Sequence, residues 1–144
     1  MDTIITRQSV LDLLAGDWAE YVDTFQALPP AAQAAFLQQQ GYKRLADLLA
    51  HIVAWWEVGL KAIPRYQGDP AARLAEIDVD SFNARAVEQV RAVNEAEEIK
   101  VFEAARLNFI EAVKQLSNDD FKDERILTQI KWELVNHLED HRIK

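Results

Sequence analysis

The chain has 144 residues, 49% of them hydrophobic and 28% charged, a size and balance that suit one globular domain with a buried core. Its net charge is −8, so no basic stripe offers itself to phosphates, and neither nucleic acid nor an anionic membrane surface is an expected partner. Cysteine is absent, which excludes disulfides, a thiolate nucleophile and cysteine-ligated zinc or iron–sulfur sites.

Glycine and proline, four each, are too few for the many tight turns of a sheet protein, so the expected class is all-α. The opening Met1-Asp2-Thr3-Ile4-Ile5-Thr6 has no basic region and no long apolar run, so it does not read as a signal peptide. The most apolar stretch, 45–60, carries Asp47, His51 and Glu57 and is too short to span a bilayer. A cytoplasmic protein of one domain, residues 1–144, is the expectation.

Apolar residues spaced near 3.6 predict the helices in order. The first covers 8–28, with Val10, Leu14, Trp18, Tyr21 and Phe25 as its stripe, and Pro29-Pro30 stops it. A short helix over 31–39 follows and ends at Gly41, a good C-terminal cap. The second long helix is predicted over 43–63, closed by Pro64, and Gly59 within it signals close packing or a bend. Residues 64–80 are too many for a tight hairpin and suit a crossover to the far end of a bundle.

A third long helix is expected from 80 or 81 to 116. The charged run Glu95, Glu97, Glu98 inside it marks either a break or a solvated face. Ser117-Asn118-Asp119-Asp120 reads as a turn with capping residues, and the last helix is predicted over 123–142.

All three histidines of the chain fall on apolar helix faces. His137 and His141, four apart, differ by about 40° in direction and one turn in height, which sets two imidazoles side by side. His51 follows Leu48 by three and precedes Trp55 by four, so it faces inward too. If the second and last helices are neighbours, three imidazoles converge, a donor set favoured by zinc, nickel, copper and iron. Three protein ligands with a fourth position open describe a catalytic rather than a structural zinc geometry. On spacing alone, hydrogen-bonded core histidines account for the pattern equally well.

Sharper chemistries fail. Leu138 stands where a metalloprotease helix needs glutamate, and Leu48, Leu134 and Leu138 stand where a di-iron bundle needs its Glu-x-x-His carboxylates. No glycine-rich phosphate loop is present, and Ser9, Ser81 and Ser117 lie in no nucleophile motif. Trp18, Trp55, Trp56 and Trp132 read first as core filler. Trp55, one turn above His51, is the candidate wall of a metal cleft. Asp47, one turn below His51, and Glu133, one turn before His137, are candidates to orient imidazoles from behind, with a solvated face as the competing role.

Two segments carry a resemblance. Leu45-Ala46-Asp47-Leu48-Leu49-Ala50-His51-Ile52-Val53-Ala54-Trp55-Trp56-Glu57 is similar to the second-helix motif of the DinB/YfiT-like superfamily, a histidine in an apolar helix followed four residues on by tryptophan. Asn136-His137-Leu138-Glu139-Asp140-His141-Arg142 resembles its closing motif, two histidines four apart and then arginine. Asp80-Ser81-Phe82-Asn83-Ala84-Arg85, the long helix after it and the Leu116-Ser117-Asn118-Asp119-Asp120-Phe121 turn are similar to the ClbS/DfsB branch.

The resemblance implies a four-helix bundle with a long crossover between helices 2 and 3. In it His51, His137 and His141 bind one divalent ion, zinc, nickel or iron. It further implies a role in stress or detoxification, as a metal-dependent hydrolase or a thiol-dependent transferase, and pairing into a homodimer. The ClbS/DfsB branch implies instead a protective protein that binds a small molecule without a metal. Whether the chain is an enzyme, and on what small molecule, stays open at this level.

Overall fold

In the computed structural model, which describes residues 4–143, the first apolar stripe makes two helices rather than one, α1 (Arg7–Ala15) and α2 (Asp17–Gln26). Thr6 starts α1 with a reciprocal cap: its hydroxyl accepts from the Ser9 amide while the Ser9 hydroxyl accepts from the Thr6 amide. Gly16 breaks the run with a non-helical backbone (φ −104°, ψ −95°) that would bring a Cβ to 2.9 Å from the Asp12 carbonyl oxygen, so glycine suits the position. The predicted stripe survives the break, and Val10, Leu14, Trp18, Tyr21 and Phe25 are all buried.

Pro30 opens α3 (Pro30–Gln40), and Gly41 closes it in the left-handed region at φ 84°, where only glycine is free of strain. The next helix, α4 (Leu45–Gly68), runs through Pro64 instead of stopping at it. The lost amide donor is outweighed by what the extra turn secures. Tyr66 is buried and its hydroxyl donates to Gln129 Oε1 at 3.0 Å. The Arg125 guanidinium holds the Tyr66 carbonyl at 2.9 Å and the Asp69 and Ala72 carbonyls at 2.8 Å each.

The expected third helix is two helices, α5 (Val79–Gln89) and α6 (Glu95–Gln115). The break lies just ahead of the glutamate run, and a distant residue stabilises it. Arg44 donates to the carbonyls of Val90 (3.0 Å) and Val93 (2.9 Å), groups that a continuous helix would have used itself. Asn94 then caps α6 by accepting from the Glu97 amide at 2.9 Å. Glu95, Glu97 and Glu98 occupy the first turn, where carboxylates meet the positive end of the helix dipole.

Ser117 and Asp120 cap one another across the predicted turn, and a short 3₁₀ turn, Asp120–Lys122, follows. Asp123 caps the last helical rod, which comes in three stretches: α7 (Glu124–Ile130), a π-helical stretch (Lys131–Asn136) and α8 (His137–His141).

Among the described residues there is no strand. α4 packs between α6 and the last rod, and α1 and α2 lie against α6. α1 also touches the π-helical stretch, which closes the ring. Trp56 of α4 stacks on Phe102 of α6 at 5.3 Å, and Trp18 meets Trp56 edge-on at 4.9 Å. Each such buried ring contributes about 1.5–3 kcal/mol of transfer free energy. α5 returns along α4, so that the 69–78 loop and α5 together act as the crossover and α6 runs in the same direction as α4. No helix among the described residues is long and apolar enough to cross a membrane.

Candidate metal centre

α4 and the last rod run side by side, and this brings His51 level with α8. The centroids of the three imidazoles form a nearly equilateral triangle, 5.0 Å from His51 to His137, 4.9 Å from His51 to His141 and 5.1 Å from His137 to His141. One ring nitrogen from each lies within 4.8 Å of the others. His51 and His137 are buried and His141 is half-buried.

The hydrogen bonds around the triangle decide which nitrogens carry protons. Trp55 Nε1 can only donate, and it points at Asn83 Oδ1 from 2.8 Å. That fixes the amide orientation and makes Oδ1 an acceptor toward His51 Nδ1, 3.0 Å away. His51 Nδ1 therefore holds the proton and Nε2 is a bare lone pair. His141 Nδ1 faces Gln40 Oε1 at 2.6 Å, and with the amide turned that way its Nε2 is bare too. These two Nε2 atoms sit 3.0 Å apart. Two lone pairs at that distance repel unless a cation lies between them. Two nitrogens bound tetrahedrally to one zinc at about 2.0–2.1 Å would be about 3.3 Å apart.

The electrostatics suit a metal. Burial pushes the His51 imidazole down to about 4, with the neighbouring His141 adding to the shift. His137 falls to about 3 through burial and then through both other imidazoles, and His141 to about 4 through burial. All three are neutral donors near pH 7. His137 Nδ1 is buried and makes no well-formed hydrogen bond among the described residues, with the Glu133 carbonyl one turn earlier as a weak partner. Tyr21 steadies the terminal ligand, its hydroxyl donating to the His141 carbonyl at 2.7 Å.

The other singled-out residues fall differently. Asp47 does not orient an imidazole and is not solvated. It is buried and accepts from the Arg44 guanidinium at 2.7 and 3.2 Å, the same arginine that ends α5. The Glu133 carboxyl is also buried, at 3% exposure, rather than solvated. Its Oε2 has no hydrogen-bond partner among the described residues, so no bond from that oxygen steadies an imidazole. Burial raises this carboxyl to about 8, against a small opposing pull from the Gly59 amide. Imidazole orientation falls to Asn83 and Gln40, which carry no local sign of the role.

Trp18 and Trp56 are core filler, each donating its indole N–H to a backbone carbonyl of the last rod, Leu134 at 3.0 Å and Glu133 at 2.8 Å. Trp132 is not core: 46% of it is exposed. It stands with Trp55 on the wall of a cavity of about 360 Å³ beside the triad. Val58, Ile77 and Val79 add apolar surface, while Glu133, Asn136, His137 and Asp140 supply polar groups.

No protein-family model matches the chain, and no curated protein or solved structure matches it either.

Proposed function

We propose that the chain is a DinB-like four-helix bundle in which His51, His137 and His141 hold one divalent ion, with the adjoining cavity admitting a small molecule. α1 with α2, α4, α6 and the last rod would be its four members, and the resemblance of the two histidine motifs supports the assignment. The observation that carries the reading is the pair of bare Nε2 lone pairs, on His51 and His141, facing each other at 3.0 Å. A metal-free fold keeps that distance only by placing a proton on one of the two nitrogens.

A divalent ion bound by three neutral imidazoles keeps a coordination position open and acts there as a Lewis acid. His51 and His141 are aimed by Asn83 and Gln40, His137 borders the cavity, and Trp55 forms part of its wall. The function supported best is a metal-dependent hydrolase or thiol-dependent transferase of a stress or detoxification pathway in the cytoplasm. The resemblance alone supports assembly into a homodimer. A second reading, a protective small-molecule binder that works without a metal, is favoured by the cavity and its two tryptophans.

Metal analysis of the purified protein tests the first reading. About one equivalent of zinc, nickel or iron is expected in the wild type and under about a tenth of that in His51→Ala or His137→Ala, with helicity retained. Equal and negligible metal in all three proteins, even after incubation with zinc and desalting, would end it.

A further inference from the structure

Glu133 is the least settled group in the molecule. It stands in the π-helical stretch, a geometry that recurs at functional sites. Its side chain occupies the notch left by Gly59: a Cβ on residue 59 would come within 3.0 Å of Glu133 Cγ and 3.3 Å of Oε2. A carboxyl so enclosed, with Oε2 unpartnered, costs stability that an apolar residue of the same size would not. It nevertheless forms part of the cavity wall, beside His137. Asp140 is the other acidic residue of that wall, and neither lysine nor arginine lines it. Without the metal ion, an anionic ligand would meet two carboxyls and no counter-charge.

We infer that the cavity takes a small aromatic amine, its nitrogen paired with the Glu133 carboxyl and its ring laid against Trp55 and Trp132. An amine brings the donor and the positive charge that the wall lacks. The tryptophan faces add apolar contact and favour a cation close to them. An ammonium group would give Glu133 Oε2 the partner that no described residue supplies. The inference rests on the proposed function for its chemistry, since it names the substrate class presented to the metal. The binding preference itself needs no metal.

The test uses three probes of one shape, 1-naphthylmethylamine, 1-naphthalenemethanol and 1-naphthoate, titrated calorimetrically into zinc-loaded and zinc-free protein. In the zinc-free protein, where no ion can ligate the carboxylate and the wall alone decides, the amine is expected to bind at least about tenfold tighter than the alcohol, and the carboxylate most weakly. Glu133→Gln should erase the amine-to-alcohol ratio while keeping zinc, whereas Glu139→Gln, at an exposed carboxylate outside the cavity wall, should preserve the ratio. In zinc-free protein, an amine no tighter than the alcohol, a naphthoate that binds as well, or an unchanged ratio in Glu133→Gln overturns the inference. If Glu133→Gln fails to fold, the wild-type series decides alone. Wild-type protein that shows the ratio but holds no zinc keeps the pocket and loses the metal. Bound zinc without the ratio does the reverse.

Discussion

Replacing Asn83 separates the metal reading from ordinary core packing. Asn83 Oδ1 accepts two bonds, from Trp55 Nε1 at 2.8 Å and His51 Nδ1 at 3.0 Å. Asn83→Leu keeps the bulk and removes both acceptors. Trp55 is half-buried, and its indole can turn toward water at a cost of about 0.5–1.5 kcal/mol. A buried donor left unpaired costs about 1–3 kcal/mol, but His51 has an escape. Its proton can move to Nε2 and donate to His141 Nε2, already 3.0 Å away.

That tautomer repairs the metal-free protein and occupies the lone pair a metal needs. The metal-free melt should therefore fall by only about 1–2 kcal/mol. This corresponds to about 3–7 °C at roughly 0.3 kcal/mol per degree for 144 residues. Zinc affinity should fall about 10–100-fold, the usual loss when an outer partner of a metal-bound histidine goes. Asn83→Asp holds the Nδ1 proton more firmly and should bind zinc at least as well as the wild type. Competition with a chromophoric chelator gives the affinities and calorimetry the melts. An Asn83→Leu protein that binds zinc like the wild type refutes the tautomer argument, as does an Asn83→Asp protein that weakens alongside it.

Further substitutions probe the scaffold. Trp18→Phe deletes the donor to the Leu134 carbonyl and leaves a gap in a fully buried site, for an expected loss of about 2–3 kcal/mol in urea unfolding. Pro64→Ala restores an amide donor inside α4 and should stabilise by about 1–2 kcal/mol; a lower melting temperature would contradict the account of why the helix continues. Asp123→Ala removes the cap of α7 and a partner of Arg125, costing about 1–2 kcal/mol at pH 7. The Arg125 side chain holds the Asp123 carboxyl below its usual value, so its contribution is present above about pH 4 and lost as pH falls through the lowered value. The gap between the two proteins should narrow in acid, and a constant gap down to pH 2 would show that the charge is irrelevant.

What could be read from the chain alone follows the range of the forces involved. The buried stripe from Val10 to Phe25, the Gly41 cap and the Gly59 contact are local matters of period and conformational freedom, and the sequence expresses them directly. The approach of His51 to His137 and His141 was legible because their inward faces leave few other arrangements once α4 and the last rod pair. The break before Asn94 showed in the sequence only as one of the readings of the glutamate run, because Arg44, about fifty residues earlier, supplies the donors that end α5. Pro64 misleads for a related reason, since Tyr66 and Arg125 reward a turn that local propensity disfavours. Gln40 lies in no motif, and the 80–85 segment that contains Asn83 gives no sign of this role: an amide becomes an imidazole's partner only when the fold places it there.

The wide turn between Lys131 and Asn136 sets the phase of everything after it. One residue of helix is worth about 100° of rotation, so a single codon gained or lost there would swing both closing imidazoles to another side of the rod. Ile126 and Ile130, upstream, would stay seated. A lineage could thus acquire or discard this centre in one genetic event, at the cost of unseating Leu138, which is buried beyond the wide turn.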